Sequence, residues 1–439
     1  MQKNKKYIFF YSHLDRHFKS TLIGHLFLLM QEHDVILFSD NLKKETLSIL
    51  NDNQLFPKLT IVNLYQSKSK NIFINNVDNF RNNTKIFDKK FKKYNCKCLA
   101  TSSDWHSLNE LYLMRIAKNM NIFRFSIQES VHWNTKLRKK WYFLRWNMII
   151  SNRWFFVGAE TLYNSKILNF FINIIPWSKY IFFQFLIPIF SLKSPFLTKK
   201  NFFLWNGASG CNDSQYHLTF SPLESDQYKI SGTDIDKLQN IPHPFTLNET
   251  KILKKIIYNN HSNPIDFLII IDSFDVSFKK DTSLIPKEIK LKSDINIVKY
   301  IVKNFHDKKI VIKPHPNLKN YISFKDKLKH YKNVTFMDQS ISVDSLFPII
   351  NTLIAFSPSF STASIYFKLF YPSKKSIALD FLDEYNGDFF INNKYDVNYI
   401  KSINELNAIL NEKNNSKKLN KNFKFDFENI NQFLNEKLN

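Results

Sequence analysis

Short apolar runs and helix-spaced stretches alternate along most of this sequence, and that rhythm is the strongest constraint on its fold. Tyr7 to Tyr11 is an apolar run, Leu22 to Met30 has the spacing of a helix, and Val35 to Phe38 is a second run that ends at Ser39-Asp40. Such a triplet reads as a βαβ unit. Runs at Leu59 to Val62, Cys98 to Thr101 and Ile122 to Ile127, with a helical stretch from Leu108 to Met120, continue the series. Alternation of this kind predicts a mostly parallel sheet covered by helices.

From Trp141 to Phe203 the rhythm breaks into a segment crowded with Phe, Trp and Ile and punctuated by Lys and Arg. Its most apolar part, Ile167 to Phe190, is about the length of a membrane span, but Asn169, Asn173, Lys179 and Gln184 interrupt it and Pro176 divides it. Three readings stay open: a spanning helix, two interfacial helices lying on a bilayer, and helices buried within the first domain. The alternation resumes at Tyr216 to Ser221, followed by Tyr228-Lys229-Ile230-Ser231-Gly232 and Ile241-Pro242-His243-Pro244. Proline on both sides of His243 enforces the extended backbone expected of a connector leaving a domain.

A second series opens near Asp266. Its strands are expected at Phe267 to Ile271, Lys309 to Ile312, Val334 to Phe336, Thr352 to Ala355 and Ser376 to Leu379, with helical stretches at Ile295 to Phe305 and Val343 to Ile350. A chain of 439 residues also exceeds what one hydrophobic core serves. The expected fold is therefore α/β, with two doubly wound, Rossmann-like domains facing a cleft. Residues 1–245 form the first, with the aromatic insertion at about 141–203; residues 246–420 form the second; residues 421–439 supply a C-terminal helix beyond an Asn- and Lys-rich linker.

Composition narrows the function. The formal charge of +24 suits an anionic membrane surface or a phosphorylated substrate, although lysine is favoured throughout the chain, including stretches with no motif. With no Arg-rich tract, zinc-finger spacing or ribonucleoprotein-type aromatic motif, nucleic acid is not an expected partner. Cys96, Cys98 and Cys211 make no disulfide framework and suit a reducing compartment. The apolar run after Lys3, Lys5 and Lys6 is too short for a signal-peptide core, so a cytoplasmic protein that starts where its gene does is expected. None of the six glycines forms a dinucleotide or P-loop pattern, which disfavours oxidoreduction and ATP hydrolysis by those routes; no cofactor is expected. Asp234-Ile235-Asp236 has the spacing of a metal-binding pair but reads as a helix start, so no metal is expected either.

The most specific signal is Ile310-Val311-Ile312-Lys313-Pro314-His315-Pro316, an apolar strand that ends in a charged turn. Carboxyl ends of parallel strands line the ligand crevice, so Lys313 and His315 are expected there, with Pro314 and Pro316 restricting the backbone around the imidazole. Two strands later, Leu353 to Phe356 runs into Ser357-Pro358-Ser359-Phe360-Ser361-Thr362-Ala363-Ser364. Free N–H groups at a helix start, joined by the hydroxyls of Ser357, Ser359, Ser361, Thr362 and Ser364, make a phosphate site; ordinary capping by Ser361 is the plainer reading. In the first domain, Gln128-Glu129-Ser130 follows a strand and offers Glu129 as a base for an acceptor hydroxyl, or as a solvated loop residue. Gly24-His25 lies at the first helical stretch, where His25 either faces an acceptor or packs the helix.

The Lys-Pro-His-Pro turn, the strand running into a Ser/Thr loop and the pattern from Trp105 to Ser130 together resemble bacterial GT-B glycosyltransferases of surface and capsular polysaccharide synthesis. The nearest groups are the sialyltransferases and polysialyltransferases, the capsule Kdo transferases and the teichoic-acid glycerophosphotransferases. In the sialyltransferase groups an acidic motif supplies the base, a His-Pro motif helps the nucleotide phosphate leave, and a Ser-Ser/Thr motif binds that phosphate. The resemblance carries these roles to Glu129, to His315-Pro316 and to Ser361-Thr362. The acidic motif of those groups has two carboxylates and a glycine, where this chain has Gln128-Glu129-Ser130.

The function expected is metal-independent transfer of a sugar from a nucleotide-activated donor, with a CMP-linked sugar one candidate, to a surface polysaccharide or lipooligosaccharide acceptor. The partners expected are a nucleotide-sugar donor, a glycan or lipid-linked acceptor and the inner face of the cell membrane. Two alternatives stand beside this reading: a nucleotide-sugar epimerase of the same fold, and a non-catalytic polysaccharide-assembly protein.

Overall fold

The computed structural model describes residues 5–12, 15, 18–40, 42–68, 72–103, 107–128, 213–231, 233–258, 263–271, 277–278, 284–314, 321–339, 341, 343–356, 363–383, 396–412 and 424–438. The aromatic segment from Trp141 to Phe203 lies outside these residues, as do Glu129, His315, Pro316, Ser357, Ser359, Ser361 and Thr362. The chain divides into two compact units, 1–250 with 423–439, and 251–422.

In the first unit the elements are β1 (Lys6–Ser12), α1 (Ile23–Glu32), β2 (Asp34–Ser39), α2 (Lys44–Leu50), β3 (Leu59–Asn63), α3 (Ile72–Lys93), β4 (Asn95–Thr101), α4 (Leu108–Asn119), β5 (Phe123–Ile127), β6 (Tyr216–Thr219), α5 (Pro222–Ser231) and β7 (Leu238–Asn240). All the strands are parallel, in the order β3-β2-β1-β4-β5-β6-β7. The sequence predicts this pattern because β1, in the sheet interior, is apolar on both faces: every residue from Tyr7 to Ser12 is buried. At the edge, β3 leaves most of its residues partly or fully exposed. Helix α4 is fixed at its start by a capping box in which Ser107 Oγ accepts from the Glu110 N–H and Glu110 Oε2 accepts from the Ser107 N–H. Its end is marked by Asn121, whose φ of 54° is the left-handed conformation common just past a helix.

The second unit comprises α6 (Lys251–Tyr258), β8 (Ile265–Ile271), a short antiparallel hairpin of β9 (Ser277–Phe278) and β10 (Leu284–Ile285), α7 (Lys287–Asn304), β11 (Ile310–Pro314), α8 (Tyr321–Asp326), β12 (Val334–Phe336), β13 (Ile350–Phe356), α9 (Ala363–Phe370), β14 (Lys375–Leu379), β15 (Asn398–Ile400) and α10 (Ile403–Asn411). Its main sheet is again parallel, in the order β12-β11-β8-β13-β14-β15. Counting only strands of that sheet, the order is 3-2-1-4-5-6, the doubly wound arrangement, and the winding reverses between β8 and β13. The fold is thus α/β with two doubly wound parallel sheets, as the sequence predicts.

Three local expectations differ from the structure. Tyr228 to Ser231 is not a further strand but the last turn of α5, whose first position is Pro222, where a missing N–H costs nothing. Val343 to Ile349 winds as a 3-10 helix with Pro348 inside it, because proline cannot supply an α-helical N–H. Ile241 to Pro244 does not leave the first unit: His243 and Pro244 are buried in it. The C-terminal helix α11 (Ile430–Leu438) also belongs to the first unit, where Asn431 Nδ2 donates to the Leu28 carbonyl of α1 at 2.8 Å. Among the described residues no helix is long and apolar enough to cross a membrane.

Candidate functional site

In the second unit the carboxyl edge of the sheet brings two of the sequence signals to one level. Lys313 of β11 and Ala355 of β13 are both in register with Ile270 of the strand between them. The turn that opens at Pro314 and the loop that opens after Phe356 therefore leave the sheet at the same height, about 10 Å apart, on either side of β8. The loop after Phe356 borders the point where the winding reverses, which is where open α/β sheets bind ligands.

Lys313 is 1% exposed, and its ammonium donates to the carbonyls of Pro314 at 2.8 Å and Gln339 at 3.0 Å. It thereby ties the turn after its own strand to the segment after β12, which is also held by the Met337 N–H on the Ile312 carbonyl at 2.9 Å. Burial lowers its pKa to about 8, against the opposing charge of Asp338. The side chain sits at the edge where the sequence places it, and its first task there is to fix the start of the turn.

Ser364 lies deeper. Ser376 Oγ donates to the Ser364 carbonyl at 2.9 Å, and Ser376 is in register with Leu353, three residues before the end of β13. Helix α9 therefore starts below the edge, by roughly 10 Å along the strand. The Ser364 hydroxyl is fully enclosed and has no hydrogen-bond partner among the described residues.

The first unit carries at its carboxyl edge a buried polar network that the sequence pattern does not announce. The Tyr11 hydroxyl donates to Asp40 Oδ2 at 2.8 Å, Asn109 Nδ2 reaches the same oxygen at 3.3 Å, and Gln66 Nε2 donates to Oδ1 at 3.2 Å. Ser102, just past β4, donates to Glu110 Oε1, so the capping box of α4 also anchors the end of that strand. Burial, followed by the charges of Asp40 and Glu110, pushes the Tyr11 phenol well above its ordinary pKa and keeps it a donor. The signal that was available is Asp40 itself, a carboxylate directly after an apolar strand.

Gln128, the first residue of the Gln-Glu-Ser motif, is buried; its N–H donates to the Leu218 carbonyl at 2.8 Å and its Oε1 accepts from the Phe220 N–H at 2.9 Å. It extends the pairing of β5 with β6 up to the edge. His25 is buried inside α1, stacked on Phe220 with ring centroids 5.8 Å apart, and neither ring nitrogen has a hydrogen-bond partner among the described residues. Desolvation lowers its pKa to about 3, so it is a neutral ring. His243 makes an edge contact with the same Phe220 ring, with centroids 4.7 Å apart. Among the described residues no group of three or more His, Cys, Asp or Glu side chains is arranged to hold a metal ion.

No protein-family model matches the chain, and no curated protein sequence matches it. Solved structures do. A putative UDP-N-acetylglucosamine 2-epimerase from Listeria monocytogenes aligns with a TM-score of 0.52 at 11% identity, over 95% of this chain and 91% of its own. The UDP-GlcNAc 2-epimerase from Neisseria meningitidis bound to UDP-GlcNAc aligns at 0.47 and 11%, over 94% and 95%. A glycosyltransferase from Rickettsia africae aligns at 0.46 and 16%, over 95% and 91%. At 11% identity the Listeria likeness establishes the shared fold, two doubly wound α/β domains, and nothing finer.

Proposed function

We propose that the chain is a metal-independent glycosyltransferase of the GT-B kind, moving a sugar from a nucleotide-activated donor to a surface polysaccharide or lipooligosaccharide acceptor. The observation that carries this reading is the common height of Lys313 and Ala355 in the second unit, which brings to one edge the ends of the two strands that the Lys-Pro-His-Pro turn and the Ser/Thr loop follow in the sequence. The donor phosphate lies between them. An ammonium has three donors; Lys313 gives two to carbonyls, and the third goes to the phosphate. His315, held between Pro314 and Pro316, neutralises charge as the nucleotide departs. Ser357, Ser359, Ser361 and Thr362, which lead into α9 in the sequence, bind the phosphate, and Ser364 is enclosed in the first turn of that helix.

Glu129 follows Gln128 at the carboxyl end of β5 and takes the proton of the acceptor hydroxyl. His25 supports the acceptor side through its packing on Phe220. The enzyme works in the cytoplasm, peripheral to the inner face of the cell membrane where a lipid-linked acceptor is held, and the +24 charge keeps it there.

The second reading is a nucleotide-sugar epimerase, the activity for which the Listeria protein is named. Inverting a sugar carbon requires acid and base groups around one ring. The buried carboxylates at the first unit's edge, Asp40 and Glu110, already accept from Tyr11, Asn109, Gln66, Ser102 and Ser107, which favours transfer.

Thermal-shift titration with CMP, CDP, UDP and GDP, followed by NMR of the matching nucleotide sugar with and without acceptor glycan, tests both. Nucleotide released only with acceptor supports transfer. Isomerisation of the sugar without acceptor replaces it with the second reading, and stabilisation by none of the nucleotides overturns both.

A further inference from the structure

Helix α3 turns Phe80, Phe87 and Phe91 into the core of the first unit, against Phe9, Phe38 and Tyr112 among others. Its outward side carries Arg81, Lys85, Lys89, Lys92 and Lys93, all exposed. At 100° per residue these fall within about a third of the helix circumference, and from Arg81 to Lys92 they run for about 17 Å. The helix has two carboxylates, Asp78 and Asp88, and neither is fully exposed. Asp88 accepts from the Tyr112 hydroxyl at 3.0 Å, and Asp78 accepts from Ser67 Oγ at 3.4 Å. The chain as a whole has 62 basic residues to 38 acidic ones, so a lysine preference spread evenly would leave exposed carboxylates among such a group. This face has none.

We infer that the outward face of α3 is the surface by which the first unit rests on an anionic lipid bilayer. The inference deepens the proposed peripheral location and rests on it. The charges are set on one helix whose other side packs into the core of the first unit, so Arg81, Lys85, Lys89 and Lys92, within about 80° of one another, can approach a plane together. Four of the five are lysines, strongly hydrated point charges that suit a diffuse array of headgroups better than paired recognition of single phosphates. The aromatic ring at the end of the stripe, Tyr94, is half-buried edge-on to Tyr7 with the Lys90 and Lys93 ammoniums over it, so it is taken up by contacts within the protein, which disfavours base or sugar stacking by a nucleic acid or a glycan chain. Each basic side chain brought to an anionic surface strengthens partitioning about fivefold, and the effect fades beyond the Debye length.

The test is co-sedimentation of the full chain with vesicles of phosphatidylcholine alone or with about a third phosphatidylglycerol. One variant changes Arg81, Lys85, Lys89, Lys92 and Lys93 to Gln. A control with the same net charge changes Lys255, Lys292, Lys303, Lys327 and Lys332, exposed residues of the second unit, to Gln. Glutamine keeps helix propensity near that of lysine, and circular dichroism with a melting curve verifies both folds. If the first variant is unstable, Lys85, Lys89 and Lys92 alone are changed. The expected result is at least a tenfold loss of partitioning onto anionic vesicles for the α3 variant and little loss for the control. Equal losses in the two variants overturn the inference while leaving peripheral membrane binding intact. Failure of the parent to bind anionic vesicles overturns both, and preferential retention on an anionic polysaccharide or DNA in place of vesicles assigns the face to that polymer.

Discussion

The imidazole of His25 stacks on the ring of Phe220, with planes 17° apart, in a pocket dry enough to hold its pKa near 3. In the unfolded chain the same group titrates near 6.5. Between those values the unfolded state binds the extra proton, so stability rises with pH through the window and is lost as pH falls from about 6.5 toward 3. At pH 4.5 the expected loss from this one residue is about 2 kcal/mol relative to pH 7. His25→Phe should flatten that part of the urea-midpoint profile. If the variant and the parent lose the same stability between pH 7 and pH 4.5, His25 does not titrate as described.

Gly24, one residue earlier, is required for space. A Cβ built there would lie 2.7 Å from Pro244 Cβ and 2.9 Å from Pro244 Cγ, and a proline ring has little freedom to move away. Alanine in a helix interior gains about 1 kcal/mol over glycine, but overpacking typically costs about 1–3 kcal/mol. Gly24→Ala is therefore expected to lower the melting temperature despite its better propensity. An unchanged or raised melting point would mean that Ile241 to Thr246 is looser than its packing on α1 indicates.

Strands were legible where they had to be buried on both faces. β1, β8 and β13 are nearly continuous apolar runs. α3 was not legible: most of its residues are Asn, Lys and Asp, and from residue 78 onward the core takes Phe80, Phe87 and Phe91 with Ile86 partly buried beside them, too sparse a stripe to stand out in an Asn-rich stretch. β15 is three residues long at a sheet edge, where tertiary pairing to β14 decides and local pattern does not. The site divides in the same way. That Lys313 ends a strand is written in Ile310 to Ile312, whereas its second carbonyl partner, Gln339, is brought by the pairing of β12 with β11. Tyr11 and Asp40 meet only because β1 and β2 pair in register, so no window of sequence contains their bond.

Asp213 stands three residues before β6, and its carboxylate ties that approach to α4. Arg115 Nε lies 2.7 Å from Asp213 Oδ2 and Lys118 Nζ 3.0 Å from Oδ1, with the Arg115 and Asp213 side chains each only 8% exposed. Arg124 adds a hydrogen bond to the Asp213 carbonyl. Removing one partner of a buried pair leaves the other charge uncompensated and typically costs about 3–5 kcal/mol. Asp213→Ala should reduce the urea midpoint by a corresponding amount, while Lys118→Met, at a more exposed cation, should cost about 1 kcal/mol or less. A loss below about 1 kcal/mol for Asp213→Ala would show that this clamp does not hold β6 in place.

Lys313 permits a test in which binding and stability move in opposite directions. Its folded pKa of about 8 is depressed from the usual 10.5 by burial, so between those values the unfolded chain holds the proton that the folded chain has released. Stability contributed by this group therefore rises as pH climbs from about 8 toward 10.5. The proposed contact with the donor phosphate requires the ammonium, so nucleotide affinity should fall over the first part of the same climb, by about tenfold once the proton is gone. General alkaline unfolding cannot imitate this, because it would lower affinity and stability together. Lys313→Met retains most of the buried stem, removes the charge, and should bind nucleotide about tenfold more weakly at pH 7 with no further weakening up to pH 9. Isothermal titration of the stabilising nucleotide at pH 7, 8 and 9, on parent and variant, reads the difference. A parent whose affinity is flat across that range, with a variant that binds equally well, would confine Lys313 to fastening the turn between Pro314 and Gln339.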